Sequence, residues 1–394
     1  MLLFIFGDAN MNIAYADILT GVEAEPEFKV AGKEVPEGIQ AEPSLMVGER
    51  FDDNIDLTGN PVSDFVTLLT PQFNLIDKSL RLQSSLRYQA DIAFFKEHSD
   101  RNAVTQTASL DTRYGLSQLV ELNLQDRFVY SPDATDISST GIVTSRVKQY
   151  NNNLSAGFSQ KLSVRTNVAL EYIYQIQRYE GPGFVDSTVH GIQLALRHDL
   201  TPIDKIKLGA GFRYFYYPDI AVQRVYTVGI GDTHRFSETD FLDVSGGANL
   251  YRDPENHYSP SAFFAVAFRK LWEYVRANFT YERDFSAIGG IASGSINTST
   301  GPLNTESVSL GIEVTLTNKL RANLSGSYAT NKTVSGSAVD VLSYSGNAEL
   351  DYAVLAWLKG QLRYSYFQQN SHTTVGSDFK RNQAFVGLTA TFPK

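Results

Sequence analysis

Residues 307–329, SVSLGIEVTLTNKLRANLSGSYA, constrain the fold most, because their side chains alternate with a period of two. Val308, Leu310, Ile312, Val314 and Leu316 take one side, and Ser309, Gly311, Glu313 and Thr315 take the other. After Thr317-Asn318-Lys319 the pattern resumes, with Leu320, Ala322, Leu324, Gly326 and Tyr328 against Arg321, Asn323, Ser325 and Ser327. Period two means extended strands, since successive side chains leave a strand on opposite faces. A slip of one residue would move every apolar group to the polar side, so the short link must set Leu316 opposite Leu320. The result is a hairpin of two strands of about 10 residues, the length at which a tilted strand crosses a bilayer.

From about Pro43 the same pattern runs to the end of the 394 residues. Ascending strands are expected near 43–50, 80–94, 119–130, 164–178, 205–217, 239–252, 274–284, 319–330 and 355–368. Descending strands are expected near 65–75, 105–114, 147–160, 187–199, 222–231, 260–269, 306–316, 341–352 and 379–392. This predicts an all-β chain: a transmembrane antiparallel up-and-down β-barrel of about 18 strands, an even number as single-chain outer-membrane barrels require. If Val222–Gly231 belongs to a loop with its neighbour, the alternative is about 16 strands. Tight links are expected at Ile76–Ser79, Gly115–Gln118, Leu162-Ser163, residues 201–204, Thr317–Lys319 and Ala353-Val354. Long polar ones are expected at 51–64, 95–104, 131–146, 179–186, 285–305, 331–340 and 369–378. Short turns on one rim and long loops on the other match the periplasmic and outer ends of such a barrel.

Aromatics bracket the apolar faces. Tyr88, Phe128, Tyr130, Tyr172, Tyr174, Tyr214, Tyr216, Tyr281, Tyr328, Tyr364 and Tyr366 fall toward the long-loop rim. Phe73, Tyr114, Phe158, Phe268, Tyr352 and Phe392 fall toward the other. Two such rings are the girdles expected at the two water interfaces of a membrane. The hydrophobic fraction of 42% therefore argues against transmembrane helices but not against a barrel, whose wall meets lipid only at every second residue.

Met1–Phe6 is apolar, and Ala14-Tyr15-Ala16 has the small-x-small form of a signal-peptidase site, without a basic n-region ahead of it. Residues 1–16 are read as the tail of a signal peptide with a truncated start. Residues 17–42, with six glutamates and two prolines, are read as an acidic periplasmic tail, leaving 43–394 as the barrel. The chain has no cysteine, which excludes thiolate metal sites, and a net charge of −9 argues against nucleic acid as a partner.

The polar side of the wall must face the interior, because a charge at the bilayer midplane costs a few kcal/mol. The expected pore-lining residues are Arg81, Arg87, Asp91, Glu121, Arg127, Arg165 and Glu171 on the first strands. Arg213, Arg276, Glu282, Glu313, Arg321 and Arg363 continue them on the later ones. No catalytic residue, metal ligand or cofactor site is expected: the six histidines are scattered and no HExxH occurs. Asp52-Asp53-Asn54 with Asp56 is acidic enough for a divalent cation but lacks the Gly and distal Glu of an EF-hand, so a solvated loop is expected there.

Glu49-Arg50-Phe51-Asp52-Asp53-Asn54-Ile55, Ser63-Asp64-Phe65 and the TPQFNL of Thr70–Leu75 resemble the second group of β-barrel porins found with bacterial exopolysaccharide systems. The similarity spans about 43–394, and its specific part is 44–75. It implies a bacterial outer-membrane location, surrounded by lipid, and a role as the exit pore for a secreted exopolysaccharide working with periplasmic export partners. The alternatives are a passive porin for small polar solutes and a non-conducting barrel that serves as scaffold or as sheath around a periplasmic partner. None of these is an enzyme.

Overall fold

Side-chain alternation and polar turns at regular intervals produce strands over nearly the whole chain. A computed structural model describes residues 38–133, 146–180, 184–218, 221–286, 302–334, 339–373 and 378–392. Its strands are β1 (Ile39–Asp52), β2 (Asp64–Lys78), β3 (Leu82–Phe95), β4 (Ala103–Gly115), β5 (Val120–Ser131), β6 (Gln149–Lys161), β7 (Thr166–Tyr179), β8 (Ser187–Asp199) and β9 (Asp204–Tyr217). They continue as β10 (Ala221–Arg235), β11 (Phe241–Arg252), β12 (Tyr258–Leu271), β13 (Val275–Ser286), β14 (Leu303–Thr315), β15 (Leu320–Thr333), β16 (Asp340–Leu355), β17 (Leu358–Ser371) and β18 (Phe379–Thr391). Each strand pairs antiparallel with the next, and β18 pairs with β1 from Ser44↔Thr391 to Asp52↔Gln383, so the sheet is a closed 18-stranded barrel. Closure leaves none of the described strands with an exposed edge.

The β14–β15 hairpin has the expected register: Thr315 faces Arg321, and the Leu316 amide donates to the Leu320 carbonyl at 3.0 Å. Full pairing of β10 with both neighbours excludes the 16-strand alternative. Two boundaries differ from expectation. β1 begins at Ile39, because residues 39–42 already pair with β2, so the segment ahead of the barrel ends sooner than residue 42. β16 runs to Leu355 through a register irregularity, which moves its turn from 353–354 to 356–357. Residues 1–37, read as signal peptide and tail, and 287–301 of the Gly/Ser-rich loop lie outside the described residues.

Following the cross-strand partners around the ring separates two sets of side chains. One set exposes Val47, Ile192, Leu194, Val228, Ile230, Leu310, Leu324, Leu362, Val386 and Leu388 on the outer wall. A monomer in water rarely shows a continuous apolar surface of this kind. Toward the long-loop end this wall stops at a belt of tyrosines with a repeated geometry. The hydroxyl of Tyr88 donates to Gln106 Oε1 at 3.2 Å, Tyr281 to Glu306 Oε1 at 3.2 Å and Tyr364 to Asn382 Oδ1 at 2.6 Å, and Tyr172 Oη pairs with His190 Nδ1 at 2.8 Å. In each case the polar partner stands two residues nearer the loops than the residue facing the tyrosine across the ladder. An apolar ring below a hydrogen-bonded hydroxyl suits a water boundary. The two-girdle scheme needs one correction: Phe73 and Tyr88, assigned to opposite rings, face each other across β2–β3 and stand at one level.

Candidate functional site

The loop end of the interior is organised by the first connection, 53–63, which folds inward. Asp52, the last residue of β1, is on the inward side and accepts from Arg381 of β18: Nη2 donates at 2.6 Å and Nε to both carboxylate oxygens at 3.1 Å. Gln383 adds a hydrogen bond at 2.9 Å, and the same Nη2 of Arg381 reaches Asp133 at 2.7 Å. Both side chains of the main pair are buried, at 4% exposure for Arg381 and 0% for Asp52. Asp53 accepts from the backbone and side-chain amides of Asn382, each at 2.6 Å. The Asn54 amide donates to the carbonyls of Thr58 and Lys380. These ties bring Ile55 onto Val66, Leu68, Phe95 and Phe385 inside the barrel, and Leu57 onto Phe367 and Phe379. Asp56 meets Arg101 at 3.1 Å, and Asp64 accepts from the backbone amides of Phe65, Glu97 and His98. The expected solvated loop is thus an anchored one. A run of acids cannot announce this by itself, since its partners on β18 lie 329 residues away.

A second inward structure stands opposite. Pairing of β12 with β13 stops at Phe264↔Arg283, while β13 runs on to Ser286. Past that point Asp284 is held by Arg213 Nη2 and by Asn249 Nδ2, both at 2.9 Å, and Arg213 Nη1 donates to the Phe285 carbonyl at 2.9 Å. Phe285 and Leu303 join Val189, Phe215, Tyr217, Val225, Tyr251 and Val341 in one buried cluster. The sequence reading missed it. Its signal is the run Phe212–Tyr217, where aromatics occupy both faces of β9 and period two fades.

Between the first connection, through Ile55, and the wall of β1–β4 and β16–β18 lies a cavity of about 530 Å³, closed further by Pro132, Asp133 and Arg146. Three residues expected to line a pore, Arg87, Asp91 and Arg363, border it. Arg87 Nε donates to Asn74 at 3.1 Å, Asp91 accepts from Thr70 at 2.6 Å, and Arg363 Nε donates to Glu349 at 3.2 Å. Lys359 pairs with Asp351 at 3.2 Å, and Gln361 donates to both acids. Glu313 lies between Arg276 and Arg321, at 3.8 and 3.6 Å. Arg127 continues the row of Arg87 through Ser109, and Glu171 accepts from Ser155. Glu121 and Glu282 stand at register positions on this same side, opposite Ser159 and Ser307. Arg213 belongs to the second inward structure. Arg81 and Arg165 are not in strands but in the turns at 79–81 and 162–165. Arg165 borders a separate rim pocket of about 410 Å³ with Asp199, Lys205 and Arg235. Among groups outside the strand interiors, Asp240 of turn 236–240 has its carboxyl held below the ordinary range, first by the Leu271 amide at 2.9 Å.

A closed antiparallel barrel with an apolar outer wall, a tyrosine belt and a charged interior defines a bacterial outer-membrane β-barrel protein. No family model and no curated protein matches the chain. Among solved structures it is similar to the outer membrane protein opdK from Pseudomonas aeruginosa, at 10% identity over 89% of this chain and 99% of that one, with a TM-score of 0.45. It is also similar to the siderophore receptor PirA from Acinetobacter baumannii, at 8% identity over 91% and 81%, with a TM-score of 0.47. OccAB4 from Acinetobacter baumannii gives 13% identity over 90% and 98%, with a TM-score of 0.44. The closed register of the chain itself, rather than these likenesses, defines its architecture.

Proposed function

We propose that the chain is an outer-membrane channel that passes small polar solutes. The observation that carries this reading is the 530 Å³ cavity, whose wall presents Arg87, Asp91, Glu349, Asp351, Lys359 and Arg363. Charges of both signs, two pairs of them joined within the wall as Arg363–Glu349 and Lys359–Asp351, keep a path wet. The inward charges read from the sequence take their pore-lining role with this proposal. Purified barrel in planar bilayers should conduct, and Arg363→Gln should shift ion selectivity toward cations. Conductance no higher than that of the bare membrane would remove the reading.

Exit of a secreted exopolysaccharide with periplasmic export partners is the second reading, favoured by the resemblance of residues 44–75. It requires connection 53–63 to leave the mouth, because Ile55 and Leu57 are packed inside. Loss of polymer secretion in a deletion strain would favour it, and unchanged secretion would end it. A barrel that neither conducts nor exports would be left with the structural or sheath role.

A further inference from the structure

Chain entry and unpaired charge meet on one side of the inner short-turn rim. β1 begins at Ile39 beside Asp77, so the residues before it emerge next to the turn at 79–81. Gly38 has a φ of 120°, a backbone that side-chain-bearing residues rarely adopt, so the chain turns as it leaves the wall. From there round to β7 the inward register carries Arg81, Arg113, Lys161 and Arg165 at its turn end. Arg113 is half-buried and the other three are exposed. None of the four forms an ion pair among the described residues, and the acids of the same arc, Glu42, Asp111 and Glu121, pair with none of them. The rest of the ring is balanced differently. There the inward acids of the strand ends each hold a cation: Asp199 has Lys205, Asp243 has Lys207, Glu313 has Arg276 and Arg321, and Asp351 has Lys359. Arg197, Arg235 and Arg269 also have partners. The segment that emerges beside the unpaired arc is acidic, with Glu23, Glu25, Glu27, Glu34 and Glu37 against Lys29 and Lys33. From Glu27 to Ile39 an extended chain reaches about 40 Å. Eighteen strands at their usual spacing and tilt make a barrel about 35 Å wide, so the whole arc is within reach.

We propose that residues 23–37 dock on this arc of the inner rim, with Glu23, Glu25 and Glu27 as counter-charges to Arg81, Arg113, Lys161 and Arg165. The occupant is this segment because its charge is complementary and its tether lies at the edge of the arc, which gives it an effective concentration of about a millimolar. So placed, it lies across part of the periplasmic mouth and lowers the positive potential met by an anion entering from that side. The docking does not depend on which solute the barrel passes.

The chain has no cysteine, so introduced pairs can be spin-labelled without interference. Ala24→Cys with Val164→Cys is measured by pulsed EPR in barrel refolded into liposomes, insertion being followed by its heat-modifiable band. One short, narrow distance is expected, lost in 1 M KCl as the Debye length falls to about 3 Å. Ala24→Cys with Lys319→Cys is the control, because turn 316–319 is nearer to β1 by the other way round the ring. It should give a longer distance. Glu23→Lys, Glu25→Lys and Glu27→Lys together should abolish the short distance, and adding Arg81→Glu, Arg113→Glu and Arg165→Glu should restore it. In planar bilayers, Glu23→Gln, Glu25→Gln and Glu27→Gln together should shift the reversal potential toward anions. Broad, equal distributions at 164 and 319 in an inserted barrel overturn the docking and leave the four cations to a solute or an acidic periplasmic partner. A short distance that survives the change of charge overturns it as well. A barrel that docks its segment and does not conduct removes the channel reading alone.

Discussion

Arg381 shows how much of this molecule rests on single side chains. Its guanidinium is buried between Asp52 and Asp133, and removing one member leaves charge without compensation inside the barrel. Arg381→Gln should therefore cost about 3–5 kcal/mol, read as a lower urea midpoint for unfolding in liposomes. An unchanged midpoint would mean that water replaces the guanidinium freely. Gly247 is critical for another reason: a Cβ there would lie 2.1 Å from the Val228 carbonyl and 2.5 Å from the Phe263 ring. Gly247→Ala should cost about 1–3 kcal/mol in the same assay, since the ladder cannot widen locally. Neither role is legible in the sequence. Asp52-Asp53-Asn54 reads as polar whether it is hydrated or anchored, and Gly247 reads as one more small residue of a β-rich chain.

Strands were legible because burial on one side only writes itself as period two, and all 18 fall where the alternation puts them. Their ends were less so. Residues 39–42 lie in an acidic context that resembles a tail, yet their backbone pairs with Leu75–Asp77 and Asn74. The inward bend of β13 was hidden because Asp284 and Phe285 signal neither a turn nor a bulge. At this scale the mouth can be tested. Ile55→Asp with Leu57→Asp should expel connection 53–63 from its apolar seats and raise single-channel conductance, with a stability loss smaller than that of Arg381→Gln. Unchanged conductance would show that this connection does not limit the path. Turn 236–240 gives a pH test. With its folded pKa below the ordinary value of about 4, Asp240 contributes stability that is present above that value and lost as pH falls through the folded one. Exchange of the Leu271 amide should accelerate at acid pH in the parent and be fast at all pH in Asp240→Ala.

At the scale of the whole molecule, outside and inside were legible as soon as the strands closed, because lipid tolerates only one of the two faces. What the interior holds was not. A wide, watery lumen follows from strand number alone, but two inward structures occupy its loop end, each built from contacts between strands far apart in the chain. Cargo depends on that interior, so the sequence specifies a barrel more firmly than a passenger.

The seam between β1 and β18 has a consequence for how such a protein comes into being. Its first strand finds its second neighbour only in its last, and the buried Asp52–Arg381 contact spans a comparable interval of 329 residues. Hairpins such as β14–β15 form locally and early, but the ring and its mouth depend on the longest-range contacts in the chain, which are slow to make. A chain lacking residues 379–394 should thus yield no heat-modifiable barrel, losing the closing strand and the lock of the first loop together. Closure thus makes the two ends of the barrel depend on each other: without β18, both β1 and β17 would present unpaired edges, and the sheet would be open to pairing with other chains.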